Sequence, residues 1–164
     1  SRHGVYENHK FIQPLEEFIR SIEQEKIPLL GICFGHQIIA QALGGKVEKF
    51  SGRWSVGLKE YKWGNQSIHL NAWHQDQVVK KPKKAKVLAE NSFCKYAVLS
   101  YGDNILTTQP HPEFTHEVIK GLIETRGKGR VPEYLLEEAL SNFEKKISLN
   151  EIVAKFSSVL NGDR

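Results

Sequence analysis

The sequence predicts an α/β domain: a three-layer, open, mostly parallel sheet with flanking helices and an added antiparallel section. Three observations lead there. An amphipathic helical segment is followed by an apolar run without polar alternation, the pattern of a strand buried on both faces, and a second helix follows at once. From Lys46 to Gln109 the pattern changes to short β-like runs. Helical spacing returns after Pro112.

Leu15, Phe18, Ile19 and Ile22 recur at helical spacing with charged residues between them, so Pro14 to Glu25 reads as an amphipathic helix. Pro28 ends it and introduces the strand Leu29 to Ile32. A helix from Phe34 to Leu43 is stopped by Gly44-Gly45. Strands are expected at Val47 to Phe50, Val56 to Trp63, Ser67 to Leu70, Lys86 to Glu90, Tyr96 to Tyr101 and Ile105 to Gln109, several of them separated by Gly, Asn or Asp. Helices are expected from Thr115 to Thr125, Pro132 to Lys145 and Leu149 to Leu160, the last opened by the capping-box pattern Ser148-Leu-Asn-Glu151. There is no internal repeat and no low-complexity segment.

A chain of 164 residues, 40% apolar and 26% charged, has the size of one globular domain and can bury a substantial core. A single domain over 1–164 is expected, with 146–164 as a C-terminal helical extension. No run approaches the roughly 18 apolar residues that span a bilayer, and Ser1-Arg-His-Gly4 carries no apolar secretory segment. A cytoplasmic protein without a membrane partner is therefore expected. Cys33 and Cys94 lie far apart without C-x-x-C spacing, which argues against a disulfide framework or a thiolate zinc site. The chain contains no methionine and opens on Ser1, which points to a missing N-terminal portion. Its +4 formal charge comes partly from Lys80-Lys81-Pro82-Lys83-Lys84-Ala85-Lys86 and from Arg126-Gly-Lys128-Gly-Arg130. Neither run interleaves aromatics or carries a reading motif, so both are taken as solvated loops and no nucleic-acid partner is expected.

The stretch Gly31-Ile-Cys33-Phe-Gly35-His-Gln37, directly after Ile27-Pro-Leu-Leu30, looks like a cysteine mounted on a strand-to-helix elbow. Glycines on both sides let the chain turn sharply and the helix pack close. A cysteine is nucleophilic as thiolate, and the N-terminus of the following helix favours that anion. Downstream, Thr108-Gln109-Pro110-His111-Pro112-Glu113-Phe114 sits between an apolar run and a helix. Its His-x-Glu spacing suits an imidazole facing the thiol while the carboxylate fixes the ring. Taken alone, Cys33 fits a buried free thiol as well as a nucleophile. Taken alone, His111 and Glu113 fit a turn histidine beside a solvated carboxylate. Their joint occurrence favours chemistry. His111, Glu113 and His116 form H-x-E-x-x-H, which is not the H-E-x-x-H zinc pattern, so no metal is expected. His36 is read as structural and Cys94 as an inert thiol.

With both motifs in view, the sequence resembles the class I glutamine amidotransferases, whose elbow reads G-x-C-x-G-x-Q and whose second motif reads H-P-E. It is most like the amidotransferase domain of GMP synthase and its stand-alone relatives. The likeness covers nearly all the chain from Ser1 to about Lys145 and includes Gly44-Gly45-Lys46-Val47. It implies a flavodoxin-like sheet whose N-terminal strands this chain lacks. It also implies that Cys33 is the nucleophile, His111 the general base and acid, and Glu113 the orienting group. Gln37 matches the family glutamine that contacts substrate, and Asn71-Ala-Trp73-His74-Gln-Asp76 resembles the stretch holding the substrate's amino-acid end. A structural tryptophan with a turn aspartate fits that stretch nearly as well.

The implied reaction is thiolate attack on the glutamine side-chain amide, loss of ammonia protonated by His111, and hydrolysis of a glutamyl thioester. The Phe34 backbone amide is expected to hold the oxyanion, with a second donor from an upstream loop at or before Ser1-Arg-His-Gly4. No cofactor is implied. The expected partner is an ammonia-accepting synthetase, since no glycine-rich phosphate loop is present. A γ-glutamyl peptide hydrolase using the same three residues is the alternative. A binding or regulatory module that has lost turnover is a further one.

Overall fold

The structure is a computed structural model, and it describes residues 3–50 and 53–162. In chain order the elements are α1 (Ile12–Gln24), β1 (Leu29–Ile32), α2 (Phe34–Ala42), β2 (Lys46–Lys49), β3 (Ser55–Trp63), β4 (Gln66–His74), β5 (Asp76–Lys80), β6 (Lys86–Glu90), β7 (Val98–Tyr101) and β8 (Ile105–Thr108). They are followed by α3 (His116–Leu122), a π-helical turn at Ile123–Gly127, α4 (Glu133–Ser141) and α5 (Asn150–Asn161). Each expected helix is found within a few residues of its expected limits. The strand β5 is not among the expected ones; its apolar run is only Val78-Val79 behind a polar start, too short to show a period.

The main sheet has six strands in the order β1-β8-β7-β6-β3-β4, and β2 pairs with β5 in a separate two-stranded sheet. The class is α/β as expected, but parallel pairing among the described strands is confined to β1 and β8, in register from Leu29 opposite Ile105 to Ile32 opposite Thr108. The other pairs are antiparallel. The reason is connection length. Gly64-Asn65 joins β3 to β4 and Gly102-Asp-Asn104 joins β7 to β8, and links this short can only return the chain antiparallel.

Helices cover both faces of the sheet. On one side Ile12 and Ile19 of α1 and Ile38 and Ile39 of α2 meet Leu99, Tyr101 and Ile105. On the other, Ile152 and Val159 of α5 meet Tyr61, Leu70, Val98 and Leu106. Neighbouring residues of β7 and β8 thus enter opposite cores, which is why these strands are buried throughout and show no polar alternation. A third cluster joins Val56 of β3 to Ile119, Ile123 and Leu136, with Trp54 and Trp73 against it. The segment from 146 onward is part of this packing, since Ile152 is fully buried. Its expected capping box does not form: Leu149 holds the cap position without a side-chain bond, and the Ser148 hydroxyl instead accepts from the His69 amide. Tertiary pairing with β4 has taken the hydroxyl that the local motif needed. No described helix is long and apolar enough to cross a membrane.

Candidate active site

Cys33 directly follows β1 and caps α2 with φ 51° and ψ −98°. Among the described residues it shares positive φ with only one other non-glycine residue, Lys26. Strain of this kind costs about 1 to 3 kcal/mol and persists where the surroundings fix it. Here the Cys33 amide donates to the Thr108 carbonyl at 2.8 Å, and the Gln37 amide donates to the Cys33 carbonyl at 3.0 Å. Gly31 is sterically required: a Cβ there would lie 2.6 Å from Ile39 Cδ1 and 2.8 Å from the Gly35 carbonyl carbon. Gly35 is not, because nothing stands within 4 Å of the position its Cβ would take. The Phe34 amide lies in the first turn of α2, where backbone donors have no intrahelical acceptor.

The parallel register of β1 and β8 is what joins the two distant motifs. Ile32 lies opposite Thr108, so the residues after each strand leave the sheet side by side. The His111 amide bonds the Asn71 carbonyl at 2.8 Å, and the Asn71 side chain donates to the Phe114 carbonyl at 2.9 Å. The His111 ring stacks on Phe114 with centroids 3.9 Å apart, and its Nδ1 is 2.6 Å from Glu113 Oε1. Burial alone depresses the His111 pKa, but bonding and charge from Cys33 and Glu113 outweigh it and hold the imidazole up at about 9. With Nδ1 engaged by the carboxylate, Nε2 is the nitrogen left for the thiol.

Gln109, fully buried, is not singled out by the sequence. Its Nε2 donates to Cys33 Sγ at 3.6 Å, and its Oε1 accepts from Gln37 Nε2 at 3.0 Å. Gln37 Nε2 also donates to the Asp76 carbonyl at 2.9 Å. Both Gln37 amide hydrogens are therefore used inside the protein, and they fix which way the Gln109 amide faces. The only sequence signal for Gln109 is a polar side chain between a fully apolar strand and the His-Pro-Glu run.

Cys33, Gln37, Trp73, His74 and Gly4 all border one cleft of about 1340 Å³. Phe34 is not among its walls; its side chain packs against the core beneath α1 and α2. His74 is buried, and burial pushes its pKa down to about 4, so the ring is neutral. Its Nδ1 donates to the Asp76 carbonyl at 3.2 Å, which leaves Nε2 a lone-pair acceptor without a partner among the described residues. Tyr6 donates to Asp76 Oδ2 at 3.1 Å on the same cleft. Ser1 and Arg2, part of the expected oxyanion loop, lie outside the described residues, whereas Gly4 of that loop borders the cleft.

The remaining candidates stand apart. Burial pushes the His36 pKa down to about 3 and its Nδ1 meets Thr107 Oγ1 at 2.8 Å. Burial pushes the Cys94 thiol up to about 12. His116 donates from Nε2 to the Lys145 carbonyl at 2.9 Å and stacks on Phe143. Among the described residues one group has metal-type donors within 4.8 Å of one another, His3, Glu7 and His9. Hydrogen bonding accounts for that grouping, since His9 Nε2 is 2.7 Å from Glu7 Oε2 and His3 Nδ1 is 3.5 Å from it.

The family described as glutamine amidotransferase class-I matches residues 4–125. Gamma-glutamyl peptidase 4 of Arabidopsis thaliana is 30% identical over 171 residues, covering 95% of this chain and 66% of its own length. A glutamine-hydrolyzing GMP synthase subunit of Methanocaldococcus jannaschii is 33% identical over 116 residues, covering 62% of each. This chain spans 66%, 64% and 56% of three curated gamma-glutamyl peptidases. The crystal structure of a glutamine amidotransferase from Methylobacillus flagellatus matches with a TM-score of 0.80 at 16% identity, covering 98% of this chain and 73% of that one, a likeness of fold. The family match over residues 4–125, together with a relative 30% identical over 95% of the chain, places the chain in the class-I glutamine amidotransferase family.

Proposed function

We propose that the chain hydrolyses γ-glutamyl amides through a cysteinyl thioester, with Cys33 as nucleophile, His111 as proton carrier and Glu113 as its orienting group. The observation that carries this is the parallel pairing of β1 with β8, which sets Cys33 beside a His111 ring already held by Glu113 at 2.6 Å. The Cys33 thiolate attacks the γ-carbonyl, and the Phe34 amide bonds the oxyanion that forms. The protonated His111 gives its proton to the departing amine. It then takes one from the water that cleaves the thioester, releasing glutamate and the thiol.

A γ-glutamyl peptide is the favoured substrate, because the cleft of about 1340 Å³ far exceeds what glutamine needs. Supply of ammonia to a synthetase is the second reading, favoured by the likeness to a GMP synthase subunit. Steady-state release of glutamate from a γ-glutamyl dipeptide and from glutamine separates them. The dipeptide is expected to show the higher kcat/KM; the reverse order favours the ammonia-supplying role. Hydrolysis of neither, with no labelling of Cys33 by a glutamine-like electrophile, overturns the proposal.

Gln109 acts as a positioning residue in this scheme. Substitution Gln109→Leu removes a donor to the thiolate and is expected to lower kcat by about 10- to 100-fold, as hydrogen bonds to charged groups contribute about 1.5 to 3 kcal/mol. It should also slow alkylation of Cys33 at a fixed pH. A drop in kcat with an unchanged alkylation rate would assign Gln109 a purely structural role.

A further inference from the structure

We infer that the cleft holds, beyond the thiol, a subsite for the carboxylate of the leaving group, formed by Arg126, Lys128 and Arg130 on one side and Lys49 on the other. The inference rests on the γ-glutamyl reading above and specifies which amine is expelled. All four side chains border the cleft that Cys33 borders. The run Arg126-Gly-Lys128-Gly-Arg130, expected from the sequence to be a solvated loop, has its three cations exposed and also borders the cleft of the candidate site.

Three features argue for a ligand there. The first is charge. The carboxylates on the cleft, Glu7 and Asp76, are engaged by His9 with His3 and by Tyr6, respectively. None of the four cations has a carboxylate partner among the described residues, whereas Arg20, Lys46, Lys59 and Lys84 elsewhere are paired. The second is mounting. The π-helical turn Ile123–Gly127 carries Thr125 and Arg126 to the cleft, and turns of this kind recur at functional sites. Gly127 is pressed against Trp73, where a Cβ would lie 3.3 Å from the indole, and against Leu136 at 3.0 Å. The Arg130 and Val131 amides both bond the Gly127 carbonyl, at 3.0 and 2.9 Å. The cationic loop is thereby fastened to the residue next to His74. The third is room. Ammonia leaving from glutamine needs neither space nor a counter-charge, whereas an amino acid or dipeptide leaving from a γ-glutamyl peptide brings its own carboxylate. Guanidinium groups bind carboxylates in a bidentate fork, so a basic wall selects such leaving groups.

The test compares γ-glutamylglycine, γ-glutamylglycinamide and glutamine, which share the γ-glutamyl end and differ in the leaving group. The full chain is assayed for kcat/KM, and binding is measured by calorimetry on its Cys33→Ala form. The free acid is expected to exceed its amide by about tenfold in both readouts, the size of one well-placed charged contact. In the K49Q/R126Q/K128Q/R130Q chain that ratio should fall to about one, with glutamine unchanged within about twofold. A ratio near one in the unsubstituted chain, or one that survives the fourfold substitution, overturns the inference. Equal losses for all three ligands also overturn it, by assigning the cations to the α-carboxylate. If no γ-glutamyl compound is turned over, the hydrolytic reading fails, while binding to the Cys33→Ala chain still decides the subsite.

Discussion

Replacing Cys33 by alanine is expected to leave a folded chain that releases glutamate at least about 10⁴-fold more slowly, the scale seen when the nucleophile of a coupled catalytic set is removed. No other group near the elbow can form the thioester: Cys94 is the remaining cysteine, buried, with its thiol held up at about 12. The fold should persist because the contacts that fix the elbow are backbone ones. The Cys33 amide to the Thr108 carbonyl and the Gln37 amide to the Cys33 carbonyl are both retained in alanine. The side-chain loss is confined to the thiol, its 3.6 Å contact from Gln109 and its interaction with His111, and hydrogen bonds to charged groups contribute about 1.5 to 3 kcal/mol. Thermal melts within a few degrees of the parent chain, alongside the lost activity, are the expected pair of results. Activity near that of the parent chain removes Cys33 from the nucleophile's role.

The elbow and the His-Pro-Glu run were legible in the sequence because each is local. Gly31 next to an apolar strand and Pro110 and Pro112 around His111 announce turns through short-range sterics alone. What brings the two together was not legible. It depends on β8 pairing with β1 across a long separation, and the register of that pairing has no local signature. Gln109 was missed for the same reason: its meaning lies in the Cys33 and Gln37 atoms it touches, not in its neighbours along the chain. Ser148 shows the converse. The local capping pattern was real, but the backbone of β4 competed for the hydroxyl and won. The cations of the run Arg126 to Arg130 are exposed, as read from the sequence, but composition does not say toward what. Only the π-helical turn and the seating of Gly127 against Trp73 show that it borders the cleft.

Substitution His111→Ala should match the Cys33→Ala loss, whereas Glu113→Gln should cost less, because it disturbs orientation while leaving the proton carrier in place. The His111 ring has other restraints, its stacking on Phe114 and its backbone bond to Asn71, and Glu113 is 46% exposed, so solvent already screens its charge. The two variants should also differ in pH dependence. Because the folded pKa of His111 is raised from 6.5 to about 9, its contribution to stability is fully present below pH 6.5 and is lost as pH rises through about 9. Cys33 and Glu113 both raise that value, so removing either partner lets the imidazolium deprotonate earlier. Melts from pH 6 to 10 should therefore show the alkaline loss of stability near pH 9 in the parent chain and at lower pH in both Glu113→Gln and Cys33→Ala. The alkaline limb of kcat/KM should shift with it in Glu113→Gln, since the same proton must be delivered to the departing amine. Equal activity losses for His111→Ala and Glu113→Gln, or an alkaline limb that ignores Glu113, would show that the carboxylate does more than hold the ring or does not act on it at all.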